Sequence, residues 1–413
     1  MKHVKNRRKI RGKHLKAFTL FLVLSFVLAG GFWYLKSSIP DRLNVESLTD
    51  AASIELPFNS MVKDEVVYTS SVSKNTKIPE EQIKIQCSFL GIVPLKTVDI
   101  QQKILPQVYA GGDIIGTFMK TDGVLAVGTG IVDAADGQKC EPALGLVQSG
   151  DYITKIEGQA VSTKQDVIDA VNKCAGTSIQ MTILRGQTEK NCELTPVLCT
   201  EGDYKIGVWV REDTQGIGTL TYVDQGKNYG ALGHGISDVD TGQLMKIRGG
   251  KLYRASVQSI KKGEKGNPGE LSGVIYYQDD QIIGDVTQNG ETGIKGNMKE
   301  LPKEGTQELL QVAYRQDVKE GPASIRCSID GEIREYAAEI ERINYSHSDI
   351  NKSMVIRVTD EELLEKTGGI VQGMSGSPIL QDGKLVGAVT HVLINDPAKG
   401  YGIFIENMLE AAG

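Results

Sequence analysis

Between Ala17 and Leu35 the chain reads AFTLFLVLSFVLAGGFWYL, 19 residues without a charge, and this run constrains every other reading. As a helix rising 1.5 Å per residue it would span about 28 Å, close to the roughly 30 Å hydrocarbon core of a bilayer. Residues 1–16 before it hold eight basic side chains (Lys2, Lys5, Arg7, Arg8, Lys9, Arg11, Lys13 and Lys16) and no acid. Of the 46 Lys and Arg among 413 residues, 38 therefore lie beyond residue 16, against all 52 Asp and Glu, so +8 stands opposite −14. Lys and Arg remain on the cytoplasmic side, which makes residues 1–16 a cytoplasmic basic head and puts the bulk of the chain outside the cytoplasm. A cleaved signal peptide is the competing reading, but its apolar region is usually about 7–15 residues ending in small ones. Leu28-Ala29-Gly30-Gly31 offers such an end, yet the run continues through Phe32, Trp33 and Tyr34. That favours an uncleaved signal anchor over residues 17–35. The acidic outer part argues against nucleic acid as a partner.

Outside the anchor, composition points to β structure. Glycine is frequent, 47 residues, aromatics are few at 6%, and Val, Ile and Thr abound, which predicts many short strands joined by glycine turns. The length predicts two or three domains. Residues 36–104 read as a polar linker, 36–54, and a small β region with alternation at Ile83, Ile85 and Cys87. Six cysteines lie on the outer side, none in a Cys-x-x-Cys pair, and their pairing stays open.

Over residues 105–197 the pattern changes. Strand-like IIGTFM and GVLAVG precede a short helix at Ala143–Gly150, a hairpin turning at Glu157-Gly158, a helix from Thr163 to Ala175 and the strand SIQMTILRG. On the phrase Ala143 to Gly158, of form A-x-G-L-x-x-G-D-x-I-x-x-I-x-G, this stretch resembles a PDZ domain of the bacterial, protease-associated type. Such domains take peptide ends by strand addition beside a loop whose amides hold a carboxylate. Ile115-Gly116-Thr117-Phe118 is the candidate for that loop, with an ordinary buried strand as the alternative. Residues 198–413 carry strands such as YKIGVWV, GIGTLTYVD and SMVIRV with little helical pattern, which suits a double barrel or sandwich.

Two phrases carry chemistry. His234 lies in YGALGHGISD, flanked by glycines, as though its backbone were crowded against a neighbour. Gly373-Met374-Ser375-Gly376-Ser377-Pro378 turns the chain so that the amides of Gly373 and Ser375 can form an oxyanion hole beside the Ser375 hydroxyl. Each such donor is worth about 2.7–4 kcal/mol. A serine nucleophile needs a base, and histidine is the usual one. The Gly-x-Ser-x-Gly elbow of α/β hydrolases is not matched, because Ser377 stands where its second glycine belongs. No H-E-x-x-H, Cys-x-x-Cys or P-loop occurs, so no metal, nucleotide or other cofactor is expected.

The serine tract, followed by the strand VGAVTHV (386–392), resembles that of chymotrypsin-fold serine peptidases. On that analogy the strand lies beside bound substrate, with Thr390 and His391 facing it and His391 setting specificity rather than acting as base. Met374 stands where that family has Asp, so activation by salt-bridging a freed N-terminus cannot operate. The whole layout of basic head, single span, PDZ-like module, YGALGHGISD and TGGIVQGMSGSPI resembles the stage IV sporulation protein B family of serine peptidases. The resemblance implies a mainly β chain: a transmembrane helix, a PDZ-like α+β domain and a chymotrypsin-like double β-barrel. It implies Ser375 and His234 as catalytic residues, self-cleavage, and cleavage of a membrane regulator that restrains an intramembrane metalloprotease before late sigma-factor activation. The location it implies is the space between the two forespore membranes. It points to Asp360 as the third triad member, although Thr359-x-x-Glu362 has the form of a helix capping box. Asp238 and Asp240 are rivals. A PDZ adaptor on an inactive peptidase scaffold is the alternative function.

Overall fold

The computed structural model describes residues 2–47, 62–72, 79–301, 308–345 and 349–410. They divide into two compact units, the first comprising Met1–Leu105, Tyr314–Lys319 and Ile343–Ser353, the second everything else.

In the first unit, helix α1 (Lys2–Ser38) contains the uncharged run, and its Phe18–Ser38 window has a mean hydropathy of 2.0 with none of it buried. One apolar, uncovered helix of this length is compatible with a single-pass membrane anchor. A four-stranded sheet follows, from β1 (Arg42–Val45), β2 (Val62–Val72), β3 (Pro79–Phe89) and β4 (Val93–Gln102), in the order β1-β4-β3-β2 with β1 parallel to β4. The alternation at Ile83, Ile85 and Cys87 points these side chains into a core with Leu43 and Val98. The tie to distant sequence is polar: the Tyr314 hydroxyl donates to the Lys103 carbonyl at 2.8 Å.

The second unit is built on two six-stranded barrels. Strands β5 (Ile114–Thr129), β6 (Tyr152–Ile156), helix α2 (Lys164–Lys173), β7 (Ile179–Arg185), β8 (Thr188–Leu194) and β9 (Val208–Asp224) come first. They are followed by β10 (Asn228–Ala231), β11 (Ile247–Lys261), β12 (Ile282–Gly290) and β13 (Gly293–Met298). The antiparallel ring β5-β11-β12-β13-β10-β9 closes on itself through the long β5–β9 pairing. Closure leaves this ring no edge strand. The second barrel joins β14 (Gly321–Cys327), β15 (Arg334–Ile343), β16 (Met354–Val358), β17 (Pro378–Gln381), β18 (Lys384–Val392) and β19 (Lys399–Phe404) in the order β14-β15-β16-β19-β18-β17. Helix α3 (Glu361–Thr367) follows β16, and α4 (Ile405–Glu410) follows β19.

The PDZ-like module grows out of the first barrel. The far half of β5 pairs with β6, β6 with β7 and β7 with β8, while the first residues of β9 return along β5 from Val208↔Thr129 to Arg211↔Leu125. Helix α2 starts where expected. Thr163 accepts from the Asp166 amide and Asp166 reaches back to the cap, a complete capping box, and Val167 and Val171 bury against Ile153, Ile179 and Met181. Glu157 and Gly158 make the hairpin turn with φ of 51° and 73°. Ala143–Gly150 differs from its expectation: it makes one turn, with Val147 bonded to Ala143, because Gly145 enters the left-handed region at φ 76°.

A second difference concerns function. Ile115–Phe118 is no carboxylate loop. These residues belong to the first barrel, bonded on one side to β9 (Ile115↔Gly218) and on the other to β11 (Ile115↔Arg254), so neither edge is open to a peptide. The residues expected as one module, 105–197, thus contribute the barrel's first long strand as well as most of the PDZ-like part. The open edge lies instead at the start of β9, whose residues 208–213 pair only with β5 among the described residues. Between it and α2 is a cleft of about 520 Å³, floored by Val167 and Val171 and closed at one end by Ile206-Gly207. The Tyr204 amide donates to Asn172 Oδ1 at 2.9 Å at that end, and the Lys164 amide donates to Glu212 at the other.

Candidate active site

Ser375 sits in the turn leading into β17, which Pro378 opens. Gly373 and Gly376 both take left-handed φ, 98° and 96°. At Gly376 space decides the residue: a Cβ there would lie 2.1 Å from the Thr219 carbonyl oxygen and 2.5 Å from the Leu232 amide. The glycine admits the chain's own first barrel.

The hydrogen bonds of this turn leave two donors over. Met374 N–H donates to Val371 O at 3.1 Å, Gly376 N–H to Val389 O at 2.8 Å and Ser377 N–H to Met374 O at 2.9 Å. The amides of Gly373 and Ser375, those expected to bind an oxyanion, have no acceptor among the described residues. The half-buried Ser375 hydroxyl donates to Thr390 O at 2.7 Å. Ser377 is a different kind of serine: it is fully buried and its hydroxyl has no partner among the described residues.

His234 approaches from the first barrel, just after β10. Its ring stacks on His391 at 4.8 Å between centroids with a 32° tilt, and Thr390 Cγ2 is 3.1 Å from where a Cβ on Gly233 would stand. Serine and histidine therefore both meet the end of β18, one at the Thr390 carbonyl and the other at the His391 ring. His234 Nδ1 lies 2.9 Å from Gly235 O. A carbonyl only accepts, so Nδ1 carries the proton and Nε2 keeps its lone pair, the form a general base needs. Burial lowers the proton affinity of His234 below that of an ordinary histidine, opposed by the Gly235 carbonyl.

The carboxylates expected as triad members are engaged elsewhere. Asp360 is the N-cap of α3, one residue later than the capping box suggested: its Oδ1 accepts from Leu363 N at 3.0 Å and its Oδ2 from Ala337 N at 3.3 Å. It makes no hydrogen bond to His234, because the helix start and the β15 backbone take both its oxygens. Asp238 is buried and accepts from the Arg211 guanidinium, from Thr241 N at 2.9 Å and from Asp240 N at 3.1 Å. Burial alone would raise its pKa, but the Thr241 amide and Arg211 together hold it below the ordinary range. Asp240 pairs with the same guanidinium at 2.8 Å.

The family model described as SpoIVB peptidase S55 matches residues 202–409, slightly more than half of the 413 residues. The chain belongs to that family. It is a SpoIVB-type sporulation serine peptidase, an endopeptidase whose substrates are proteins. No curated protein matches the chain. Among solved structures, the PDZ domain of an SdrC-like protein from Listeria monocytogenes is 23% identical, with 22% of this chain and 87% of that one covered and a TM-score of 0.17. Its counterpart from Listeria innocua is 24% identical, with 22% and 94% covered and a TM-score of 0.19.

Several groups around the site of this SpoIVB-type peptidase carry no motif. Asn289, legible in sequence only as a turn residue, clamps the loop beyond His234: its Oδ1 accepts from Ile236 N at 2.8 Å, and its Nδ2 donates to Ile236 O at 2.8 Å and Met245 O at 2.9 Å. Thr219 and Thr221 reach the serine turn from β9. Their only signal is a polar side chain at alternate positions of the apolar stretch Ile217 to Val223 within that strand. No two of the six cysteines form a disulfide. No metal-binding cluster occurs among the described residues.

Proposed function

We propose that Ser375 is the nucleophile and His234 its base in a membrane-anchored endopeptidase that cleaves itself and a membrane regulator of an intramembrane metalloprotease. The observation that carries the reading is the pair of unpartnered amides, Gly373 and Ser375, beside a serine hydroxyl and a neutral, half-buried histidine. In this mechanism substrate displaces the Ser375 hydroxyl from Thr390 O, and the hydroxyl turns toward His234 Nε2. Nε2 takes the proton as Oγ attacks the scissile carbonyl, and the two amides receive the oxygen that becomes negative. The imidazolium gives its proton to the departing amine, and water repeats the sequence to free Ser375. Gly235 O holds the Nδ1 proton throughout.

The remaining parts follow the same reading. Residues 1–16 face the cytoplasm, residues 17–35 span the membrane, and the barrels work outside it, between the forespore membranes, so that the cut signals late sigma-factor activation. The cleft between α2 and β9 takes a peptide end as an added strand and presents substrate or gates self-cleavage. The end of β18, Thr390 and His391, borders the substrate backbone.

The test uses the full chain in detergent micelles, labelled with a serine-directed phosphonate and followed for self-cleavage. Wild type labels and cleaves, Ser377→Ala does too, and Ser375→Ala and His234→Ala lose both. Loss of labelling in Ser377→Ala alone would move the nucleophile. A wild type that never labels would return the scaffold reading.

A further inference from the structure

One residue of β9 makes two of the hydrogen bonds that hold the serine turn from outside. The Thr219 amide donates to Ser375 O at 2.9 Å and its hydroxyl donates to Gly373 O at 3.0 Å. Those two carbonyls belong to the peptide units on either side of the unit that carries the Ser375 N–H. One threonine therefore fixes both neighbours of an amide that has no partner of its own. Thr221 adds a third tie, its hydroxyl donating to Gly376 O at 2.8 Å. Both threonines are buried, so water does not compete for these carbonyls. The remaining peptide units of the turn are tied to neighbours other than β9, as where Gln372 O accepts from Leu271 N at 2.8 Å.

The same strand begins at the open cleft. Val208–Val210 line the cleft beside α2, Arg211 reaches the loop behind His234, and Thr219 reaches the serine turn. One strand thus touches, in order, the peptide cleft, the histidine loop and the serine turn.

We propose that Thr219 is a positioning residue of the peptidase: it aims the Ser375 amide at the oxyanion and ties that aim to the strand that edges the peptide cleft. The proposal rests on Ser375 being the nucleophile. An oxyanion donor acts only where charge develops, so misaiming it lowers turnover and leaves ground-state binding alone.

Thr219→Val keeps the shape and removes the hydroxyl, and Thr219→Ser keeps the hydroxyl and removes the methyl. Full-length chains in micelles are compared for kcat and KM on a fluorogenic peptide, for the rate of phosphonate labelling and for thermal midpoint. Thr219→Val is expected to lower kcat and the labelling rate by about 10–100-fold, less than the ~10²–10³ of deleting a donor outright, with KM within about twofold. Thr219→Ser is expected to stay within about threefold of wild type. A kcat within twofold in Thr219→Val, or an equal loss in both variants, overturns the proposal. If Thr219→Val does not fold, Thr219→Cys, a near isostere with a poor donor, makes the same comparison. Ser375→Ala alongside separates the two failures. Labelling that survives there removes the nucleophile and this proposal with it, whereas labelling lost there but intact in Thr219→Val removes this proposal alone.

Discussion

Burial of His234 lowers the pH at which its ring takes up a proton. Burial disfavours the imidazolium more than the Gly235 carbonyl favours it, so the folded pKa lies below the ordinary ~6.5. As the proposed base, His234 is active when neutral, and a lowered pKa keeps it neutral further into acid. The profile of kcat/KM against pH is therefore expected to lose activity on its acid side with a midpoint below about 6.5, and a midpoint above about 7 would contradict the half-buried, carbonyl-bonded imidazole. Stability follows the same sign. The unfolded chain binds this proton more readily, so the contribution is fully present above the unfolded pKa and is lost as pH falls through the folded one. His234 and Ser375 were legible in the sequence because glycine spacing around an ionisable or hydroxyl residue has few structural reasons. Thr219 and Asn289 were not, since a threonine in a strand and an asparagine in a turn are what any β protein contains.

Among the elements, α3 shows how one residue fits two readings. Asp360 stands at the helix N-terminus, where a carboxylate accepts an orphan amide and lies favourably in the helix dipole. Asparagine caps about as well as aspartate, and alanine does not. Asp360→Ala should lower unfolding stability by about 1 kcal/mol, while Asp360→Asn should stay within about 0.5 kcal/mol, both measured in urea. Any turnover lost by Asp360→Asn is then chemistry and not folding. A fall near 10⁴ would require the carboxylate to leave its cap and orient His234. The strands teach a related lesson. Ile115-Gly116, the expected carboxylate loop, and Ile206-Gly207, which no motif singled out, share a hydrophobic-Gly form, and sequence alone does not separate them. Long-range pairing does: the first is enclosed by β9 and β11, the second stands at an open edge. The break at Asp122-Gly123 hid this, because it reads as a turn between two strands. In the fold the Thr121 hydroxyl shares its one proton between Gly123 O at 2.6 Å and Glu212 O at 2.9 Å, and β5 continues through a bulge there, its pairing stepping from Arg211↔Leu125 to Asp213↔Lys120.

Across the second unit as a whole, the PDZ-like module and the first barrel are joined by more than shared strands. The module meets the loop that follows His234 at three points. Tyr152 Oη accepts from Lys246 N at 3.0 Å, Met245 packs with Leu125 and Tyr152, and Arg211 binds both Asp238 and Asp240. Asp238 is the critical member because it is buried, and a buried charge that loses its partner is costly. A fully enclosed pair would lose about 3–5 kcal/mol on removal of one side. Arg211 is one-third exposed and two amides still serve Asp238, so Arg211→Gln should cost roughly 2–3 kcal/mol. The double variant Arg211→Gln/Asp238→Asn removes the stranded charge and should recover most of that loss in urea melts. Recovery of stability need not restore the loop's position. If the module holds the histidine loop through Arg211, phosphonate labelling stays slower than wild type in the double variant although its fold is repaired. Should labelling return together with stability, the ion pair supports the fold alone, and the module reaches His234 through Tyr152 and Met245.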